Sequence, residues 1–75
     1  MKKTERAERT ELKKFRGGKL LTQTQIAKML GYNRAHYARF ENGTAEITLR
    51  FLEALTKAFG LTLEEAKAIT KRDNE

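Results

Sequence analysis

Apolar residues recur at helical spacing in five short segments, which glycine, threonine and asparagine separate. The first segment spans roughly residues 10–16, where Leu12 and Phe15 share one face. Gly17 and Gly18 are expected to weaken or end it, because a glycine inside a helix costs about 1 kcal/mol relative to alanine. No segment alternates polar and apolar residues as a strand does, so the pattern predicts an all-α bundle of five helices.

The second and third segments have the clearest boundaries. Thr22, followed three residues later by Gln25, forms a capping box that starts the second segment. Gly31 is expected to end it, because glycine tolerates the positive φ that is common after a helix. Asn33 then caps the third segment, which closes at residues 41–43. Two short helices joined by a tight glycine turn have the proportions of a helix-turn-helix.

The fourth segment, residues 48–59, is apolar on most sides and is therefore expected at the centre of the bundle. Gly60 ends it, and a second capping box, Thr62 with Glu65, opens the last helix.

The sequence predicts a single domain with two short flanks. Residues 10–71 form the helix-turn-helix domain, and residues 72–75 are a tail. Residues 1–9 are expected to be a basic arm or a helix extension. Their cations (Lys2, Lys3, Arg6 and Arg9) either follow DNA phosphates or belong to a solvated tail, with the solvated tail favoured.

Positive charge is concentrated in the first part of the chain, whose formal net charge is +6. Residues 1–19 carry eight basic against three acidic side chains, and residues 20–43 carry three against one. Residues 44–75 carry five against six. This polarity favours nucleic acid as the partner, ahead of a membrane surface, although ordinary solubility charge is an alternative.

The composition argues against several other classes of protein. There is no cysteine and a single histidine, so neither a disulfide nor a zinc site is expected, and no other metal or cofactor is indicated. No nucleophile, phosphate-binding glycine loop or catalytic carboxylate pair is recognisable, so an enzyme is not expected. No apolar run reaches the ~18 residues of a membrane span, and no signal peptide is evident, which indicates a cytoplasmic location without membrane binding.

Residues 21–43 read LTQTQIAKMLGYNRAHYARFENG. This stretch resembles the DNA-binding domain of the lambda-repressor/Cro-like family, also called the xenobiotic-response-element family. The resemblance rests on the LTQ opening, the small Ala27, the Leu30-Gly31 pair and the RFENG close. It extends from about residue 12 through residue 63 and includes the fourth-segment pattern TLRFLEALTKAFGLTLEE.

The resemblance implies that the third segment is a recognition helix in the major groove of double-stranded DNA. It implies base contacts by Arg34, Ala35, His36, Ala38 and Arg39. Contacts with phosphates are expected from Gln23, Asn33, Asn42, Gly43 and Thr44. Structural roles in the helix-turn-helix fall to Ala27, Gly31, Tyr37 and Phe40. For His36 an exposed surface histidine is an equal alternative, and for Gln23 a simple first-turn role.

An ion pair between Arg16 and Glu41 is also implied, with a weak surface pair as the alternative. Several residues depart from the family pattern, among them Gly17 and Gly18, which stand where the first helix is usually continuous. Tyr37 stands where the family usually has Ile or Val, so its hydroxyl is expected to need a partner. Leu20 replaces a usual turn glycine. Glu46 and Ile47 occupy a loop that is often basic, which weakens the expectation of phosphate contacts beyond Thr44.

The function predicted from these residues is that of a sequence-specific transcriptional regulator from a bacterium or phage, acting at the nucleoid. Repression by a homodimer on a two-fold operator is expected, with half-sites ~34 Å apart and no small-molecule effector. The dimer surface is expected at Leu61, Leu63, Ala66 and Ile69. The alternative is an interaction module of the same fold, an antitoxin or adaptor whose principal partner is a protein.

Overall fold

The computed structural model describes residues 7–74, which form five helices and no strand. The helices are α1 (Thr10–Gly18), α2 (Gln23–Leu30), α3 (Arg34–Glu41), α4 (Leu49–Phe59) and α5 (Leu63–Ile69). α2 packs against α3 and α4, whereas α1 packs against α3 and α5 and α4 packs against α5. The predicted all-α fold is therefore confirmed.

Local capping chemistry sets most of the helix boundaries. Thr22 and Thr62 each form a complete capping box at the start of α2 and α5, as predicted. The side chains of Asn33 and Thr48 accept from backbone N–H groups in the first turns of α3 and α4. Gly31 ends α2 with φ +85°, the left-handed conformation expected of a glycine after a helix. The first turns of these four helices therefore begin at predictable residues.

The core lies where α2, α3 and α4 meet. In the described part of the chain, its buried apolar members are Leu12, Ile26, Ala27, Leu30, Tyr37, Phe40, Phe51, Leu52, Leu55 and Ala66. The ring centroids of Phe40 and Phe51 lie 4.2 Å apart, and this contact joins α3 to α4. Because aromatic side chains bury a large area, this contact adds to the packing of α3 against α1 and α2.

The helices differ from the sequence-based expectations at two places. α1 continues through Gly17 and Gly18, since its hydrogen-bonding pattern outweighs the modest cost of two glycines. α4 is amphipathic rather than apolar on most sides, because Leu49 is 63% exposed and Ala58 is also exposed. α4 has a single buried stripe, which faces α2 and α5.

The predicted flanks also differ from the observed structure. Arg9 is only 2% exposed and donates its backbone N–H to the Glu41 carbonyl at 2.7 Å, so it does not belong to a solvated arm. Arg72 is half-buried and Asp73 bonds to Glu8, so these two residues are not a free tail. The predictions for Lys2, Lys3 and Arg6 lie outside the described residues.

Leu20 adopts φ +59° while its side chain is 90% exposed. It lies in the turn between α1 and α2, where its N–H donates to the Gly17 carbonyl at 3.0 Å. The predicted turn-glycine position is thus occupied by a residue whose Cβ is strained there and whose side chain gains little burial.

We expect Leu20→Gly to raise the free energy of unfolding by about 1 kcal/mol, because left-handed backbone costs a non-glycine residue roughly that amount. The measurement is urea denaturation monitored by circular dichroism. Leu20→Ala is the control, since it removes the exposed side chain and keeps the strained Cβ. Equal gains from both substitutions would show that backbone strain is not the cause.

Candidate nucleic-acid interface

Helix α3 has two chemically different faces. Its outer face consists of the exposed Arg34, Ala35, His36 and Arg39 and the half-buried Ala38. Its inner face buries Tyr37, Phe40 and Glu41. This division follows from helical spacing, because positions three and four apart fall on one side. The five residues expected to contact bases therefore lie on one side of α3, and two of them are arginines.

The turn before α3 sets the position of its first residues. The Tyr32 N–H donates to the Ala27 carbonyl at 2.8 Å, which closes the turn after Gly31. The Asn33 side-chain oxygen accepts from the His36 N–H at 2.7 Å. Asn33 therefore acts as a helix cap, and Ala27 at 1% exposure allows the close crossing of α2 and α3.

A buried carboxylate joins α3 to α1 and α2. Glu41 is 1% exposed, and Arg16 from α1 donates to it through Nε at 2.6 Å. Gln23 from α2 donates through Nε2 at 3.0 Å, and the Tyr37 hydroxyl donates at 2.7 Å. The expected ion pair is present, and it is a buried network rather than a weak surface pair. Tyr37 has the hydroxyl partner that its departure from the family pattern requires.

These contacts set the ionisation state of the network. Burial alone raises the pKa of Glu41, but the hydrogen bonds from Arg16, Tyr37 and Gln23 outweigh burial and hold that pKa below its ordinary value. The hydrogen bond to Glu41 raises the pKa of Arg16. Burial, with the Glu41 contact second, raises the pKa of the Tyr37 hydroxyl. The network thus contains a carboxylate, a guanidinium and a neutral phenol that can donate.

Gln23 connects this network to the outer face of α3. While its Nε2 donates to Glu41, its Oε1 accepts from Arg34 Nη1 at the long distance of 3.5 Å. Gln23 is half-buried, so both ends of its amide are oriented. Its role here is therefore more than that of a first-turn residue, because it buttresses an arginine of the outer face.

Arg50, which was not among the predicted site residues, extends the basic surface beside α3. The Arg50 guanidinium lies 4.9 Å from the centroid of the Tyr32 ring. Tyr32 in turn meets the His36 ring edge-on at 5.0 Å, and His36 stacks on Phe40 at 5.1 Å. Arg50 was missed because nothing in its local sequence indicates that the start of α4 lies beside the α2–α3 turn.

The loop after α3 uses most of its own backbone groups. The Thr44 N–H donates to the carbonyl of Arg39 at 3.0 Å and to Asn42 Oδ1 at 3.1 Å. Gly43 is buried, its N–H is directed at the Phe40 carbonyl, and its own carbonyl accepts from Arg72. The expected phosphate contact by Gly43 is therefore wrong, since these groups are already bonded. The exposed side chains of Asn42 and Thr44 remain candidates for phosphate contact.

The surface expected at the dimer contact is only partly apolar. Leu63 is 43% exposed, and Leu61 and Ile69 are half-buried. Ala66 is 0% exposed because it lies on the face of α5 that packs into the core. Its assignment to the dimer surface is therefore wrong.

The described residues contain no cluster of three potential metal ligands among His, Cys, Asp and Glu. None of the helices described here is long and apolar enough to span a membrane.

Together, the glycine turn, the buried Glu41 network and the exposed basic face of α3 define a helix-turn-helix protein. A helix-turn-helix family model matches residues 12–65, and the chain therefore belongs to the lambda-repressor/Cro-like helix-turn-helix family. Members of this family are DNA-binding transcription regulators and are generally not enzymes. Comparison with curated proteins and with solved structures gave no match.

We expect Glu41→Gln to lower the free energy of unfolding by about 3 kcal/mol at neutral pH, because Arg16 would lose its buried counter-charge. The folded-state pKa of Glu41 lies below the ordinary value of 4.5, so its pairing stabilises the fold above that pH. The pairing is lost as pH falls through the folded pKa.

The measurement is urea denaturation of both proteins at neutral pH and at about pH 3, where the difference between them should shrink. Glu11→Gln, which removes an exposed carboxylate of α1, serves as the control. A difference that does not change with pH would contradict the assigned pairing.

Proposed function

We propose that this protein is a sequence-specific double-stranded DNA-binding regulator that places α3 in the major groove. The observation that carries the proposal is the outer face of α3, where two exposed arginines stand on a helix fixed by the buried Glu41 network. A rigid helix with arginines on one side suits bidentate recognition of guanine O6 and N7.

The roles of individual residues follow from their positions. Arg34 and Arg39 read base edges, and Ala35 and Ala38 lie beside them, where a small side chain can contact a thymine methyl. Asn42 and Thr44 approach phosphates through their side chains. Gln23 orients Arg34, and both act at the same end of the interface.

The proposed mode of action is repression by promoter occupancy, as a homodimer on a two-fold operator without a small-molecule effector. Leu61, Leu63 and Ile69 supply partly exposed apolar area for the dimer contact, on the less basic part of the chain. We propose that the protein comes from a bacterium or a phage and acts at the nucleoid of a bacterial cell.

We expect selection from a random DNA pool at near-physiological salt to enrich a palindrome. Its half-sites should lie about one helical turn apart. Arg34→Ala/Arg39→Ala should lose the enrichment, because each bidentate pair contributes about 1–3 kcal/mol of base discrimination.

The matched control is Lys57→Ala/Lys67→Ala, which removes the same charge from exposed positions of α4 and α5. Enrichment of a single, non-repeated site would overturn the homodimer. Salt-sensitive binding without any enrichment, equal in all three proteins, would overturn sequence reading and direct the search to a protein partner.

Arg50 is proposed as a phosphate contact held by the Tyr32 ring. Arg50→Ala should weaken binding equally on all sequences and reduce the slope of log affinity against log salt by about one. Fluorescence anisotropy over a salt series measures this slope. Lys57→Ala, two turns further along α4, is the control, and equal slopes for wild type and Arg50→Ala would remove Arg50 from the interface.

A further inference from the structure

Residues that flank the five helices lie together beside the loop that follows the recognition helix. The Asp73 N–H donates to the Glu8 carbonyl at 2.8 Å. The Asp73 carboxylate accepts from the Thr10 N–H at 2.9 Å and also from the Thr10 hydroxyl. The segment after α5 is thus attached to the segment before α1, and both lie close to the last turn of α3.

Arg9 binds the end of the recognition helix from one side. Its guanidinium donates to the carbonyls of Phe40 at 2.7 Å, Ala45 at 2.8 Å and Thr70 at 2.8 Å. Its backbone N–H donates to the Glu41 carbonyl. The last carbonyls of a helix lack partners within the helix, so Arg9 satisfies two of those of α3. One buried side chain therefore joins α3, the following loop and the end of α5.

Arg72 binds the same loop from the other side. Its Nη2 donates to the Gly43 carbonyl at 3.0 Å and to Glu46 Oε2 at 3.0 Å, and its Nε donates to Gly43 at 3.3 Å. The Arg72 side chain is 12% exposed, whereas that of Glu46 is 83% exposed. Between them, Arg9 and Arg72 hold the carbonyls of Gly43 and Ala45, on either side of Thr44.

We propose that Arg9 and Arg72, here called the arginine clasp, are positioning residues for the DNA interface. They hold loop 42–46 in the conformation that turns the side chains of Asn42 and Thr44 outward. The inference rests on the proposed DNA binding and adds that residues 70–73 belong to the DNA-binding unit. Arg72 acts through Gly43 and is paired with Glu46, so it contributes position and little net charge.

The test compares Arg72→Gln and Arg72→Lys with wild type on the selected DNA site, over a salt series. We expect Arg72→Gln to weaken binding about three- to tenfold, with unchanged base preference and unchanged salt slope. Arg72→Lys keeps the charge but not the fork of donors, so it should recover only part of the loss. Lys71→Gln removes a neighbouring exposed cation and is the control.

A second readout uses the free protein. Hydrogen exchange of the Thr44 and Ala45 amides should be faster in Arg72→Gln, while exchange in α2 stays the same. Thermal unfolding of both variants shows whether they fold. If Arg72→Gln does not fold, Arg72→Lys supplies the comparison, since it keeps the charge beside Glu46.

Three results would overturn the proposal. A salt slope reduced by about one, with full recovery in Arg72→Lys, would make Arg72 a direct phosphate contact. Unchanged affinity and exchange in Arg72→Gln would make the clasp irrelevant to DNA. A wild-type protein that binds no DNA would overturn the proposed function as well, and this result is distinct because it does not depend on the variants.

Discussion

The buried carboxylate of Glu41 is the constraint on which the geometry of the recognition helix depends. A charge removed from water is tolerated only when both of its oxygens are well paired. Arg16, Gln23 and Tyr37 supply those pairs from α1, α2 and α3. Because Arg16 and Gln23 lie on α1 and α2, a rotation or shift of α3 would break at least one contact to the carboxylate, whereas the Tyr37 contact lies within α3 itself. The position of the outer face therefore follows from an interaction on the inner face.

A buried ion also holds the C-terminal end of α3, but this ion is positively charged. It is the guanidinium of Arg9, which donates hydrogen bonds to three backbone carbonyls. A small domain without disulfides has limited apolar core, so specific polar contacts matter more to its unique structure. Glu41 and Arg9 act at adjoining points, since the Arg9 N–H donates to the Glu41 carbonyl. Loop 42–46 begins where these two networks meet.

Most helix boundaries could be predicted from the sequence, because they depend on residues close together in the chain. Most contacts between residues far apart in the chain could not be predicted. The capping boxes at Thr22 and Thr62 and the glycine at residue 31 act within a few residues, so their patterns could be read directly. Tyr37 could be predicted to need a partner. The burial of Arg9 could not, because one of its acceptors lies 61 residues away, at Thr70. The candidate site on the outer face of α3 could be predicted from the sequence, whereas the position of Arg50 depends on how α4 packs against the α2–α3 turn.

These contacts also change how the net charge of +6 should be interpreted. Arg9, Arg16 and Arg72 are engaged with carbonyls or carboxylates inside the fold and hold the helices and the loop in place. Arg34, Arg39 and Arg50 are exposed around α3. Arginine suits both tasks, because its planar fork satisfies several acceptors at once, whether they are carbonyls in the protein or atoms of a nucleic acid. The number of arginines in the chain therefore overstates how many are exposed around α3, because Arg9, Arg16 and Arg72 are used inside the fold.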